Sequence, residues 1–123
     1  MAFTFKNTQS GAAAFVDNVT PTVLLTAPAA PTKGDLLVKL LITNIDTTTA
    51  VTLELYHVAS GGSISGDDWK IVKALSVKAS DGLYGTDDVR EIAGIYLEPG
   101  DTLQALAGTA SKLKFNLTYQ EET

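Results

Sequence analysis

The chain has 123 residues, a formal net charge of −5 and no cysteine. That length suits one domain with its own core, and 45% hydrophobic against 19% charged residues excludes a disordered chain. The missing cysteines exclude disulfides and thiolate chemistry, the acidic balance argues against direct nucleic-acid binding, and no apolar run approaches the roughly 18–20 residues of a membrane helix.

Phe3-Thr4-Phe5-Lys6 alternates and reads as a short strand, followed by a polar, turn-like stretch from Asn7 to Gly11. Ala12 to Val16 reads as extended or as one helical turn, and we take residues 1–20 together as an extended N-terminal arm. The start, MAFTFKNTQSG, has neither the basic residues nor the long apolar core of a signal peptide, so synthesis in a cytoplasm is expected. Pro21 ends any helix. Thr22 to Ala27 is the first firm strand, and the loop PAAPTKGD follows. Asp35 to Ile45 is long enough for a helix. Its β-branched Val38, Ile42, Thr43 and Ile45 and its turn-forming flanks favour a strand. Leu36, Val38, Leu40 and Ile42 form one alternate face, and Leu37, Leu41 and Ile45 the other. Both faces are apolar, which suits a central strand or a strand meeting another subunit.

Val51 to Ala59 alternates clearly, and the loop SGGSISGDD follows. Trp69 to Lys78 carries Ile71 and Leu75 at helical spacing, but Leu75, Val77 and Ala79 alternate, so we read a strand with an irregular start. After the turn-rich ASDGLYGTDD, Val89 to Leu97 alternates as one strand. Pro99-Gly100-Asp101 then makes a tight turn into Thr102 to Ala107. The last strand, Lys112 to Tyr119, points Leu113, Phe115, Leu117 and Tyr119 inward, and Gln120 to Thr123 reads as an acidic tail.

About eight short strands without intervening helices predict an all-β fold, an antiparallel β-sandwich of jelly-roll type. Residues 1–20 form the arm and residues 21–123 the sandwich domain.

Catalytic chemistry is hard to find. His57 is the sole histidine and sits within a strand, and no nucleophile-elbow or S-x-x-K motif is present. The turn Pro99 to Asp101 matches a P-G-D element of the cupin family, but the histidines that hold the cupin metal are missing, so the match is one of turn geometry. No cofactor is expected. Asp67-Asp68 and Asp87-Asp88 are carboxylate pairs of the kind calcium prefers, yet neither sits in a D-x-D-x-D-G loop, and solvated loop charges explain them as well. Trp69 and Tyr84 flank these acidic loops.

Three pieces taken in order carry a resemblance. They are Val23 to Ser63, beginning VLLTAPAAPTKGDLLVKLLITN, then WKIVKALSV, and finally IYLEPGDTLQALAGTASKLKFNLTYQE from Ile95 to Glu121. This order resembles small virion proteins of tailed bacteriophages, among them capsid decoration (cement) proteins and tail or fibre components. The resemblance begins at Val23, and the acidic ASDGLYGTDD insertion departs from it. It implies a non-enzymatic β-sandwich at the capsid surface that binds the major capsid protein and bridges its neighbouring copies. It also implies a homo-oligomer, with a trimer as the expected form. Phe3, Phe5 and Phe15 of the arm, and Leu37 and Leu41 of the long strand, are the candidate partner-binding residues. The alternative is a tail or fibre module that binds a host receptor or glycan through Trp69, Tyr84 and the acidic loops.

Overall fold

The alternation written into the last two strands builds one wall of the core and part of the other. In the computed structural model, which describes residues 3–9, 16–29, 34–79 and 89–122, Leu103, Ala105 and Ala107 point inward from one sheet. Leu113, Leu117 and Tyr119 point inward from the other. Among the described residues there are nine strands and no helix. They are β1 (Phe3–Gln9), β2 (Thr22–Thr26), β3 (Asp35–Asn44), β4 (Val51–Val58), β5 (Lys70–Val77), β6 (Val89–Ile92), β7 (Ile95–Leu97), β8 (Thr102–Ala107) and β9 (Leu113–Glu122).

One sheet has the order β1-β9-β3-β6, with β7 continuing along β3; the other has the order β2-β8-β4-β5. Every pairing is antiparallel. With β6 and β7 counted as one interrupted strand, this is an eight-stranded jelly roll. Leu40 and Ile42 of β3 meet Leu53 and Leu55 of β4 in a core where all four are fully buried.

Several boundaries differ from the sequence reading. The expected single strand Val89 to Leu97 breaks at Ala93 and Gly94, because Gly94 has φ of 84°, which leaves the pleat. The expected acidic tail is strand as far as Glu122. Gln120 and Glu121 are paired on both sides, by Phe5 and Thr4 of β1 and by Leu36 and Asp35 of β3. The turn expected from Asn7 is strand to Gln9, and Asn7 Nδ2 lies 2.8 Å from Asn116 Oδ1, 3.1 Å from Thr118 Oγ1 and 3.2 Å from the Leu117 carbonyl. In β3 the β9 ladder skips a position between Leu37 and Lys39, so a two-residue count from Leu36 to Ile42 does not run through unbroken.

The described part of the N-terminal segment belongs to the sandwich. β1 lies along β9 of its own chain through seven paired positions. Val16 is fully buried; its amide donates to the Leu113 carbonyl of one sheet at 2.9 Å, while the neighbouring Asp17 carbonyl accepts from Ala107 of the other at 2.8 Å. These two residues therefore strap the sheets together.

Asn44 closes the sandwich elsewhere. Its buried side chain donates to the carbonyls of Thr49 and Val77, both at 3.0 Å, and accepts from the Asp46 amide at 2.9 Å. The bond to Val77 runs from β3 to β5, and so from one sheet to the other. Replacing it with alanine removes the donor to the buried Val77 carbonyl, so Asn44→Ala should lower unfolding free energy by about 1–3 kcal/mol in urea titration. Next to it, Asp46 accepts from the amides of Thr48 and Thr49 and from the Thr48 hydroxyl, and lies 3.5 Å from Lys112. The Thr48 amide is the main cause holding its carboxyl below the ordinary 3.8. A lowered folded pKa means that this turn's contribution is complete above the unfolded value and is lost as pH falls through the folded one. Thermal melts of Asp46→Asn should therefore show a shallower loss of stability than the parent below about pH 4.

Candidate functional site

The outer face of the β1-β9-β3-β6 sheet carries Phe5 and Leu41, two of the residues expected to meet a partner. On β9, Leu117 and Tyr119 are buried, so the alternating Asn116, Thr118 and Gln120 face outward. Register then places Phe5 beside Gln120, Asn7 and Lys39 beside Thr118, and Leu41 beside Asn116. Phe5 is 66% exposed and Leu41 is half-buried. Phe3 lies on β1 opposite Glu122, and Leu37 lies on β3 between Tyr119 and Ile95, both placed by backbone register. Phe15 lies outside the described residues. The exposed Tyr96, not among the residues expected from the sequence, joins the Phe5 row because its partner Leu36 is also the partner of Gln120. Lys39 and Glu91 stand 4.0 Å apart on this face.

The Pro99-Gly100-Asp101 turn carries a dense polar site. Asp101 is buried, and one of its carboxylate oxygens accepts from the Ser60 amide at 3.0 Å. The other accepts from the Glu98 amide at 3.1 Å and meets His57 Nε2 at 2.8 Å. Gly100 has φ of 84°, and a Cβ there would collide with the Ser60 side chain at 2.6 Å. Its amide reaches the carbonyls of Ala27 and Pro28, and the Ala27 amide donates to the Asp101 carbonyl at 2.9 Å. The turn thus ties the end of β2 and the end of β4 to the β7–β8 connection. The only histidine is engaged by this carboxylate, and Ser60 contributes its backbone amide to the same group.

A second polar cluster covers the outer face of the β2-β8-β4-β5 sheet. The Tyr56 hydroxyl donates to Glu54 at 2.6 Å, and Lys70 Nζ lies 2.8 Å from Asp67, 3.4 Å from Glu54 and 5.5 Å from the centre of the Tyr56 ring. Burial, then the Glu54 carboxylate, pushes the Tyr56 phenol up. The Asp67 contact raises Lys70 above its usual range, and Lys70 in turn holds Asp67 down. Asp67 of the first acidic pair is therefore bound to a lysine; Asp87 and Asp88 lie outside the described residues. Among the described residues no three potential metal ligands come together.

Trp69 is 41% exposed, and its indole Nε1 donates to the Ser63 carbonyl at 3.1 Å. A Cβ on Gly62 would come within 3.0 Å of its ring. The indole therefore closes its own loop. Tyr84, its expected companion, lies outside the described residues. An open depression of about 140 Å³ lies beside this loop, lined by Asp67, Lys70, Ile71 and Lys73.

No family model matches the chain, and no curated protein sequence matches it. Among solved structures, the chain is similar to a structure of infectious bursal disease virus, Gx strain, at 12% identity and a TM-score of 0.33. That match covers 94% of this chain and 29% of the other. A structure of the Gt strain of the same virus is similar at 14% identity and a TM-score of 0.32, covering 99% of this chain and 30% of the other. The chain thus spans less than a third of the length of either.

Replacing Asp101 by alanine removes one acceptor from two backbone amides and a histidine at once. Asp101→Ala should therefore lower unfolding free energy by about 2–4 kcal/mol in chemical denaturation, without changing the far-ultraviolet spectrum of the folded state.

Proposed function

We propose that this protein is a virion structural protein of a tailed bacteriophage, a capsid decoration protein that binds the outer shell and bridges neighbouring copies of the major capsid protein. The observation that carries the reading is the ordered resemblance from Val23 to Glu121. Its pieces fall on β2 to β4, on β5 and on β7 to β9, so the resembling segments are successive strands of one sandwich. The arrangement suits the task physically. A jelly roll braced by buried polar ties presents a stiff surface, so little ordering entropy is lost on docking. Many copies on a symmetric shell, each touching two or more subunits, gain by avidity.

The role is non-enzymatic in this reading. The sole histidine is held by Asp101, and the functional work is contact rather than turnover. The outer sheet face bearing Phe5, Tyr96 and Leu41 is the surface assigned to partners, because it combines exposed aromatics with outward amides and hydroxyls.

Purified protein should co-sediment with capsids that lack it and saturate at a copy number matched to the capsid lattice. A folded protein that fails to bind, yet binds a host glycan on an array, would replace the decoration role by that of a tail or fibre module.

A further inference from the structure

The four sheet edges of this sandwich are not alike. The β2 edge is five residues long, carries a bulge between Val23 and Leu25, and has Pro21 and Pro28 on either side. The β5 edge shifts register twice against β4. The far edge of the other sheet is split into β6 and β7 at Gly94. Bulges, prolines and short broken strands are three of the devices by which sheet edges avoid pairing with another chain, and an edge lysine is a fourth. β1 has none of the first three, and its one lysine is paired with Glu121. It is seven residues, FTFKNTQ, without proline, in unbroken register with β9, and among the described residues no strand pairs its outer side.

Two further features suit this edge to a second strand. Its single charge, Lys6, is paired with Glu121 at 2.8 Å, so an identical edge meets no uncompensated like charge in a register that keeps the two lysines apart. Asn7 reaches three acceptors on β9, which holds β1 in place before any partner arrives. Phe5, with 66% of its surface exposed, stands mid-strand with no apolar cover in proportion to its size.

We propose that β1 is a self-pairing edge. Two copies join β1 to β1 in antiparallel fashion, making one continuous sheet across a two-fold axis. Of the two registers centred mid-strand that keep both exposed faces on one side, centring on Lys6 sets like charges opposite each other, which is unfavourable. Centring on Phe5 sets the exposed ring against its own copy, with Thr4 opposite Lys6 and Phe3 opposite Asn7. The assembly is therefore a dimer, not the trimer expected from the resemblance. This inference does not depend on the capsid role, and its test uses no capsid.

Sedimentation equilibrium of the full chain should show a monomer–dimer equilibrium. Phe5→Lys places a charge on the edge and removes the apolar contact. It should weaken dimerisation about tenfold or more while leaving the melting temperature of the dilute monomer unchanged. The chain has no cysteine, so a single introduced thiol reports geometry cleanly. Directly opposed residues of an antiparallel pair lie about 4.5–5.5 Å apart at Cα, within disulfide reach. Phe5→Cys should therefore oxidise to a covalent dimer much faster than Val23→Cys, a control exposed on the β2 edge. A wild-type chain that stays monomeric at its highest soluble concentration overturns the proposal. So does a dimer in which Phe5→Cys cross-links no faster than the control.

Discussion

Much of this fold depends on one buried carboxylate. Asp101 sits where three strand ends converge, and its carboxylate gathers two backbone amides and a histidine. A loop that leaves a sandwich must bury or solvate its backbone groups. Here the aspartate does so for the β4 end and the β7–β8 turn together, while Gly100 supplies the positive φ and the close approach to Ser60 that the geometry requires. Asn44 does the corresponding work between β3 and β5. The apolar core provides most of the driving force, but it is non-directional. These two polar residues select which strand ends meet.

The strand pattern was legible in the sequence because period-two alternation survives burial on one face. β4, β8 and β9 show it most plainly, since each has one side in the core. The ends were less legible. Gln120 and Glu121 look like a solvated tail by composition, yet they are held by ladders on both sides, and no local signal announces a partner more than a hundred residues away. The break at Gly94 was hidden for a different reason. A single glycine inside an alternating run is compatible with a continuous strand, and only its φ separates the two.

The candidate surface was partly legible. Phe5 stood out as an aromatic in a weakly apolar segment, and it is exposed. Leu41 lies on a strand that reads as apolar on both faces, and it is half-buried on the outer side. Tyr96 carries no such signal, because its place beside the Phe5 row follows from the register of three strands rather than from its neighbours in sequence. Trp69 drew attention as a ring beside an acidic loop. That loop is instead built around it, through Gly62 and Ser63, and composition alone does not distinguish a ring offered to a ligand from one folded onto its own backbone.

The pairing of β1 with β9 also sets an order of events. Phe3 lies opposite Glu122, so β1 has no partner until β9, the last of the nine described strands, has been made. β1 therefore lacks its partner while the intervening strands β2 to β8 are made. Such long-range closure slows folding, because the chain entropy of a large loop is lost before the contact forms. A nascent chain therefore carries an unpaired β1 until β9 has emerged, and on a crowded polysome the neighbouring chains carry the same strand.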